Sequence, residues 1–446
     1  MPCRGGRFAG YIIRGNCLKR LRKTVGKPGE LGVVELQVTI ERGAEVLIEP
    51  VPPSLVSQIT GRNRSLFHAD MEKNRRALAQ ACSCARVLVI GAAGSIGSAV
   101  VKLLALLEPA ALVLVDMNEN NLADLVRALR AGPYRLPQDF VTSVAMFGTP
   151  GFERFLRAAG PFQVMFNFAA LKHVRSERDP FSLMRMIETN VFAVEDLRRS
   201  AASRGARLFS VSSDKAVFPS SLMGATKRWM ERILAEPSNA ACASARFANV
   251  AFSNGSLLHA ILERLEQRQP VAAPDNIRRY FISHTEAAEL CLLAGFLGRT
   301  AEIFVPRLDP ARDSLLLDEA VRRVLAFRGL EAAPCASEAE AKLSPLLAQA
   351  APRRWPCFFS PSDTSGEKTH EELHYADEAI DTSRFDAINV VRCDPSPHGR
   401  LAEARKAIEA IASQDLWPKA GIVDVIRNAV PELRHLELNQ SLDNKL

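Results

Sequence analysis

Ser213, Asp214 and Lys215 set a hydroxyl, a carboxylate and an amine side by side, directly after the apolar run Arg207–Val211 (RLFSV). Groups of these three kinds can give and take protons from a bound substrate. Met223 and Lys227 follow in Met223-Gly224-Ala225-Thr226-Lys227, which opens a helix continuing through Leu234. Their spacing of four places both on one helix face. The apolar run reads as a buried strand, and polar residues just past such a strand end are where open α/β sheets bind ligands. Taken alone, Ser-Asp-Lys is equally a solvated loop, so the elements around it must decide.

Upstream, residues 86–91 (RVLVIG) form a β-branched run leading into Gly91-Ala92-Ala93-Gly94-Ser95-Ile96-Gly97, then a helix from Ser98 to Leu107. A second buried run, Ala111–Val115, ends at Asp116. This is the pattern of a βαβ unit with a phosphate-binding turn. Gly91 allows the sharp turn, Gly94 lets the backbone approach a pyrophosphate, and Gly97 lets helix and strand pack closely. The helix N-terminus faces the anion, and Ser95 and Ile96 of the turn join the glycines as cofactor contacts. Asp116 stands where an acid accepts from the adenosine ribose hydroxyls and repels a 2′-phosphate, so NAD is expected rather than NADP.

Further strand–helix alternation follows. Phe162–Phe168 reads as a strand, a helix spans roughly 181–204 and contains Asn190, and Ala243–Ala251 is another strand ending near Ser253-Asn254-Gly255-Ser256. Repeated βα units with short loops imply a parallel sheet covered by helices on both faces. We therefore expect an α/β protein: a Rossmann doubly wound parallel sheet with a smaller C-terminal α/β substrate-binding domain. The expected divisions are a basic N-terminal extension and small segment over 1–84, the dinucleotide-binding domain over 85–255, a substrate-binding region over 256–385 and a helical segment over 386–446. Within the first, residues 31–50 alternate as two short strands, and 65–84 turn helical with a cap at Asp70. Residues 330–350 read as a surface helix and connector.

Composition narrows the class. The chain has 446 residues, 47% of them apolar, 24% charged, with net charge +7. Residues 1–30 hold eight Lys/Arg and one acid, so the other 416 residues sum to zero. The basic balance thus describes a tail, not a nucleic-acid-binding domain. Nine cysteines without framework spacing fit reduced thiols in a cytoplasmic compartment, and no metal-ligand cluster accompanies Cys82 and Cys84. No run is long enough for a transmembrane helix.

With these pieces in order, the chain resembles the extended short-chain dehydrogenase/reductases, and among them the polysaccharide-biosynthesis group of UDP-N-acetylhexosamine 4,6-dehydratases. The resemblance rests on VLVIGAAGSIGS (87–98), AALKHV (169–174), VSSDKAVFPSSLMGATK (211–227), RFANVAFSNGS (246–256), RRYFISHTEAAEL (278–290), EIFVP (302–306) and SGEKTHEEL (365–373). It implies a UDP-linked amino sugar as substrate and a homo-oligomer. It also implies Ala169 and Lys172 near the cofactor, Lys172, Asn249, Arg279 and Lys368 on the substrate, and His173 in a structural role. Arg suits bidentate phosphate recognition. Glu367, Glu371 and Glu372 are read as structural, at the edge of the site. The chain departs from the family pattern with Ser213 for Thr, Ala248 for Gly, and Thr364-Ser365 for Arg-Pro.

Most short-chain dehydrogenases use a Tyr four residues before a Lys. Here that place is Met223, which carries no proton, so a plain hydroxyl dehydrogenase is disfavoured. The resemblance implies a reaction in which NAD oxidises C4 of the sugar, Lys215 takes the acidified C5 proton, Asp214 protonates the departing C6 hydroxyl, and hydride returns to C6. Ser213 and Lys227 would serve the C4 hydroxyl, Lys227 also holding cofactor. For Lys215 to be a base its pKa must fall. An epimerase and a non-catalytic dinucleotide-binding scaffold are the alternatives.

Overall fold

The computed structural model describes residues 48–344, 353–362, 368, 370–397 and 399–435. The expected strands before residue 48, Thr364, and the start of the SGEKTHEEL motif with Ser365 and Glu367 lie outside the described residues. The described chain from Ile48 onward clusters as one unit.

Its centre is a nine-stranded sheet. In chain order the first six strands are β1 (Arg86–Ile90), β2 (Ala111–Asp116), β3 (Asp139–Val144), β4 (Val164–Asn167), β5 (Arg207–Val211) and β6 (Cys242–Ala245). Across the sheet they run β3-β2-β1-β4-β5-β6, followed by Glu302–Pro306, Ile388–Arg392 and Ala379–Asp381. The first seven positions are mutually parallel, and the last two strands close that edge in antiparallel pairing. Strand order reverses between β1 and β4, the switch point at which a doubly wound sheet opens its ligand crevice. Strands β1, β2, β4 and β5 are almost wholly buried, as expected when helices cover both faces. One layer packs Leu88, Ile90, Val113, Val115, Met165 and Leu208 against Val194, Leu197 and Met230.

Two small sheets lie beyond. Arg278–Ile282 pairs antiparallel with Ser314–Leu316 and parallel with Asn249–Val250, while Arg354–Ser360 pairs parallel with Glu331–Pro334 and Val271–Pro274. They share a second core, with Phe252, Phe281, Val324 and Trp355. The α/β class and the parallel sheet expected above are what is found.

Several local expectations change. The strand expected over Ala243–Ala251 is two strands in different sheets, because Asn249 and Val250 leave β6 to pair with Phe281 and Ile282. The helix expected over 181–204 is split by a π-turn, Glu188–Phe192, a feature frequent at functional sites. The segment from 386, expected to be helical, begins with the strand Ile388–Arg392 before its helices Arg400–Ala412 and Lys419–Ala429. Asp70 is no cap of its own helix, α2 (His68–Ser83): its carboxylate accepts from Asp386 N and Ala387 N at 2.6 and 2.8 Å. Residues 331–334, expected in a helix, form a strand, and the helix there is Glu338–Leu343. The N-terminal helix α1 (Pro53–Thr60) buries Leu55, Val56 and Ile59 in the second core.

Candidate functional site

The turn after β1 is shaped by what its glycines exclude. A Cβ on Gly91, at φ +71°, would stand 2.7 Å from Ala169 N, just past β4; one on Gly97 would stand 2.1 Å from Gly91 O. Only hydrogen fits at both places. Gly94 has ordinary clearance, 3.4 Å to Gly91 O, so its value is the open approach of its backbone. The helix α3 (Ser95–Leu107) starts at Gly94 with no side-chain cap, leaving first-turn N–H groups for an anion. Asp116 ends β2 with Oδ2 accepting from Ala93 N and Oδ1 from Asn118 N, both at 2.9 Å. A carboxylate has about four acceptor sites, so two such bonds leave capacity for ribose hydroxyls. Turn, helix start and acid fit a dinucleotide.

A second loop folds over this turn. Asn254 N donates to Ser95 Oγ at 2.9 Å, and Lys172 Nζ donates to Asn254 O at 2.7 Å. Burial lowers the Lys172 pKa; the same cause, with Lys172 and Arg175 nearby, lowers that of His173. The loop holding Ala169 and Lys172 is fixed by Asn190 in the π-turn, whose amide brackets Leu171: Oδ1 accepts from Leu171 N and Nδ2 donates to Leu171 O, each at 2.9 Å. Nδ2 also donates to Thr226 Oγ1 at 3.1 Å, tying this loop to the helix that carries Lys227.

Past β5 the chain makes a single 3-10 turn, Asp214–Ala216, capped by Ser213, whose Oγ accepts from Lys215 N at 3.3 Å. The helix Leu222–Ala235 then starts at Ser221 and runs so close that a Cβ on Gly224 would meet Lys215 O at 2.2 Å. Gly224 therefore lets the Ser213–Lys215 turn and Lys227 converge. Lys227 Nζ donates to Val211 O at 2.9 Å, and burial, against the opposing pull of Glu231, lowers its pKa to about 8. Met223 is buried, its N–H donating to Glu177 Oε1 at 2.8 Å.

The Ser213, Asp214 and Lys215 side chains meet one another. Ser213 Oγ donates to Asp214 Oδ1 at 2.7 Å, and Lys215 Nζ lies 3.4 Å from Asp214 Oδ2. Burial opposes both charges, but the partners win: Lys215 and hydrogen bonds hold Asp214 below the usual carboxylate range, while Asp214 and Glu371 hold Lys215 above its ordinary value. The lowered Lys215 pKa expected for a base is thus absent from this resting site; of Lys215 and Lys227, it is Lys227 that is lowered.

The residue that sequence reasoning put at the site's edge is at its centre. Glu371 is 4% exposed at the side chain. It accepts from Asn249 Nδ2 at 2.9 and 3.2 Å, pairs with Arg279 Nε at 3.1 Å, lies 3.8 Å from Lys215 Nζ and comes within side-chain hydrogen-bonding reach of Asp214. Burial, then the Asp214 charge, push its pKa up to about 8. Asn249 and Arg279, expected on a diphosphate, are brought to the site with these donors turned to Glu371. Lys368 sits at the rim, its Nζ donating to Val217 O at 2.7 Å and pairing with Glu372 at 3.5 Å. Tyr375, also unforeseen, donates its hydroxyl to Ala216 O at 3.1 Å and accepts from Phe218 N at 2.9 Å. It steadies Phe218, a non-glycine residue at φ +40°. No sequence signal marked Glu371 or Tyr375 beyond their place in and just after the SGEKTHEEL motif, because the partners of their side chains lie more than 90 residues away in the chain.

Residues 87–342 match the model of the polysaccharide biosynthesis protein family, more than half of the chain. The chain belongs to this family. It is 32% identical over 248 residues to an uncharacterized membrane protein, MJ1061, of Methanocaldococcus jannaschii, covering 53% of this chain and 71% of that protein. It is 31% identical over 241 residues to the capsular polysaccharide biosynthesis protein CapD of Staphylococcus aureus, but spans only 39% of CapD's length. Among solved structures, Pen from Bacillus thuringiensis superposes with a TM-score of 0.54 at 21% identity, over 70% of this chain and 87% of Pen; that likeness is one of fold. Within the family, the described residues include no helix long and apolar enough to cross a membrane and no cluster of His, Cys, Asp or Glu able to hold a metal ion.

Proposed function

We propose that this family member is an NAD-dependent 4,6-dehydratase acting on a UDP-linked amino sugar, UDP-N-acetylglucosamine in the first instance, in glycan biosynthesis. The observation that carries the reading is the Asp214–Lys215 contact of 3.4 Å on the turn after β5, beside Lys227 and with Met223 in place of a tyrosine. An acid and a base poised together suit an elimination, whereas a dehydrogenase lacks its phenol here. Bound NAD would accept hydride from C4 and return it to C6. Gly91, Gly94, Ser95, Ile96, Gly97, Asp116, Ala169 and Lys172 would hold it at the switch point, Asp116 favouring NAD over NADP.

The chain's own groups supply the proton chemistry. Ser213 and Lys227 serve the C4 hydroxyl, Lys227 suited by a pKa of about 8 to share protons near neutrality. Asp214 protonates the departing C6 hydroxyl and Lys215 takes the C5 proton. Because Asp214 above all keeps Lys215 protonated, it works as a base only after giving up that proton, which a positive charge on the cofactor ring would favour. Lys172, Asn249, Arg279 and Lys368 line the substrate side.

Incubation of the full chain with NAD and UDP-N-acetylglucosamine in deuterated water, followed by NMR, tests this. The expected product is a 4-keto-6-deoxy sugar with deuterium at C5. A new hexosamine that keeps its C6 hydroxyl would replace the dehydratase with an epimerase, and no change of this sugar or of UDP-N-acetylgalactosamine would point to a scaffold.

A further inference from the structure

The reaction above gives Glu371 no task, yet it meets Asn249, Arg279 and Lys215 at the heart of the site. Two carboxyl groups hydrogen-bond each other only when one carries a proton, since an ionised carboxylate only accepts. Asp214 and Glu371 flank one ammonium, Lys215 Nζ, at 3.4 and 3.8 Å, and lie within side-chain hydrogen-bonding reach of each other. The groups facing Glu371 are Asp214 and Lys215 from the turn after β5, and Arg279 and Tyr280 from the strand Arg278–Ile282, with the Asn249 amide beside them. Lys215 and Ser213 favour the ionised form of Asp214, while burial and the Asp214 charge favour the protonated form of Glu371. Two carboxyls so placed and so opposed are suited to titrate as one pair that shares a proton.

We propose that Glu371 is a positioning residue that stores the proton which Asp214 delivers to the departing C6 hydroxyl. This rests on the dehydratase reading. As the C6–O6 bond breaks with its electron pair on oxygen, the proton of Glu371 passes to Asp214 and on to O6, and water leaves. Neutral Lys215 takes the C5 proton, and the C5–H electron pair becomes the C5–C6 double bond. The proton released from O4 in the oxidation reaches Asp214 through Ser213 Oγ, 2.7 Å away, and refills the pair. Lys215 returns its proton to C5 when hydride arrives at C6, so each turnover removes one proton from the pair and restores one. A protonated Glu371 also leaves Asp214 as the only carboxylate holding the Lys215 ammonium, which eases the deprotonation that Lys215 needs.

Glu371→Gln keeps the shape and removes the proton; Glu371→Asp keeps the acid. Two measurements on the full chain decide. In the first, infrared difference spectra of wild type against Glu371→Gln at neutral pH, without sugar, should show loss of a protonated-carboxyl band. No such loss overturns the proposal whether or not the enzyme is a dehydratase. In the second, with NAD and UDP-N-acetylglucosamine, nicotinamide absorbance reports C4 oxidation and deuterium at C5 reports elimination. Glu371→Gln should keep the oxidation and slow the elimination by at least about 100-fold, the lower end of what a positioned acid contributes, with Glu371→Asp recovering part of it and the alkaline limb near pH 8. Equal loss of both steps in both variants would mean a merely structural residue and overturn the proposal. A wild type that oxidises C4 without eliminating would overturn the dehydratase reading and the proton's destination with it, leaving the infrared result to show that the shared proton exists.

Discussion

Two buried charge clusters lie back to back around the residues Ser212 and Ser213, each built from two acids and two bases. Behind the site, Arg246 is fully buried and bonds Glu231 through Nε at 2.7 Å and Nη2 at 2.8 Å, and Glu378 through Nη1 and Nη2, both at 2.8 Å. Arg228 bridges the same two acids at 3.2 and 3.1 Å, and Ser212 Oγ donates to Glu231 at 2.6 Å. Each carboxylate faces a planar fork of donors. Burial opposes the charges of Arg246 and Glu231, yet Arg246 is raised and Glu231 lowered, so these two stay ionised. In the site, Asp214, Glu371, Lys215 and Arg279 make the same inventory, but there the two carboxyls converge on one ammonium, Lys215 Nζ, at 3.4 and 3.8 Å. On the proposal above, that arrangement holds a movable proton where the cluster behind it is locked. Function at this sheet edge follows from which groups are neighbours, not from how many charges are buried.

The sharpest break of the comparison comes from Lys215→Ala, which should abolish turnover, a loss beyond about 100-fold, while NAD binding measured by calorimetry stays intact. An active variant would remove Lys215 from the chemistry. On the structural side, Arg246→Met leaves Glu231 and Glu378 short of their main partner, and urea unfolding should show a loss of about 3–5 kcal/mol. If stability hardly moves, the cluster behind the site is not what holds the helix Leu222–Ala235 to its sheet. Gly97→Ala tests a purely steric demand, since its Cβ must displace Gly91 O from 2.1 Å. It should cost about 1–3 kcal/mol of stability and weaken NAD binding; unchanged binding would show that the turn adapts. The gentlest test is the pH dependence of stability. Glu371 binds a proton in the folded state up to about 8 but in the unfolded chain only up to its ordinary 4.5. Its stabilisation is therefore full below 4.5 and is lost as pH rises to about 8. Lys227, lowered to about 8 from 10.5, works the other way between those values. Urea midpoints measured across the lower window should fall less steeply with pH in Glu371→Gln than in wild type; parallel curves would mean that Glu371 titrates normally.

Much of the cofactor half was legible because its demands are local. Gly91, Gly97 and Asp116 lie within one βαβ unit, and short-range sterics and strand polarity fix what each must do. The Ser213–Lys215 turn and Lys227 were legible for the same reason, since one strand, one turn and one helix position them. The π-turn at Glu188–Phe192 was not, because the residues on both sides have ordinary helical patterning and the extra residue shows only when Asn190 reaches Leu171. Nor was the split of Ala243–Ala251, whose apolar run is the same whichever sheet its second half joins.

By itself, then, the sequence determined the parallel dinucleotide fold, the glycine turn, Asp116 and the polar turn after β5, since each depends on neighbours a few residues away. Tertiary structure alone decided the electrostatics. It carried Glu371 to Asp214 and Arg279, left Lys215 protonated and Lys227 lowered. A pKa depends on burial and on charges within a few ångströms, and the groups that set these values come from distant parts of the chain.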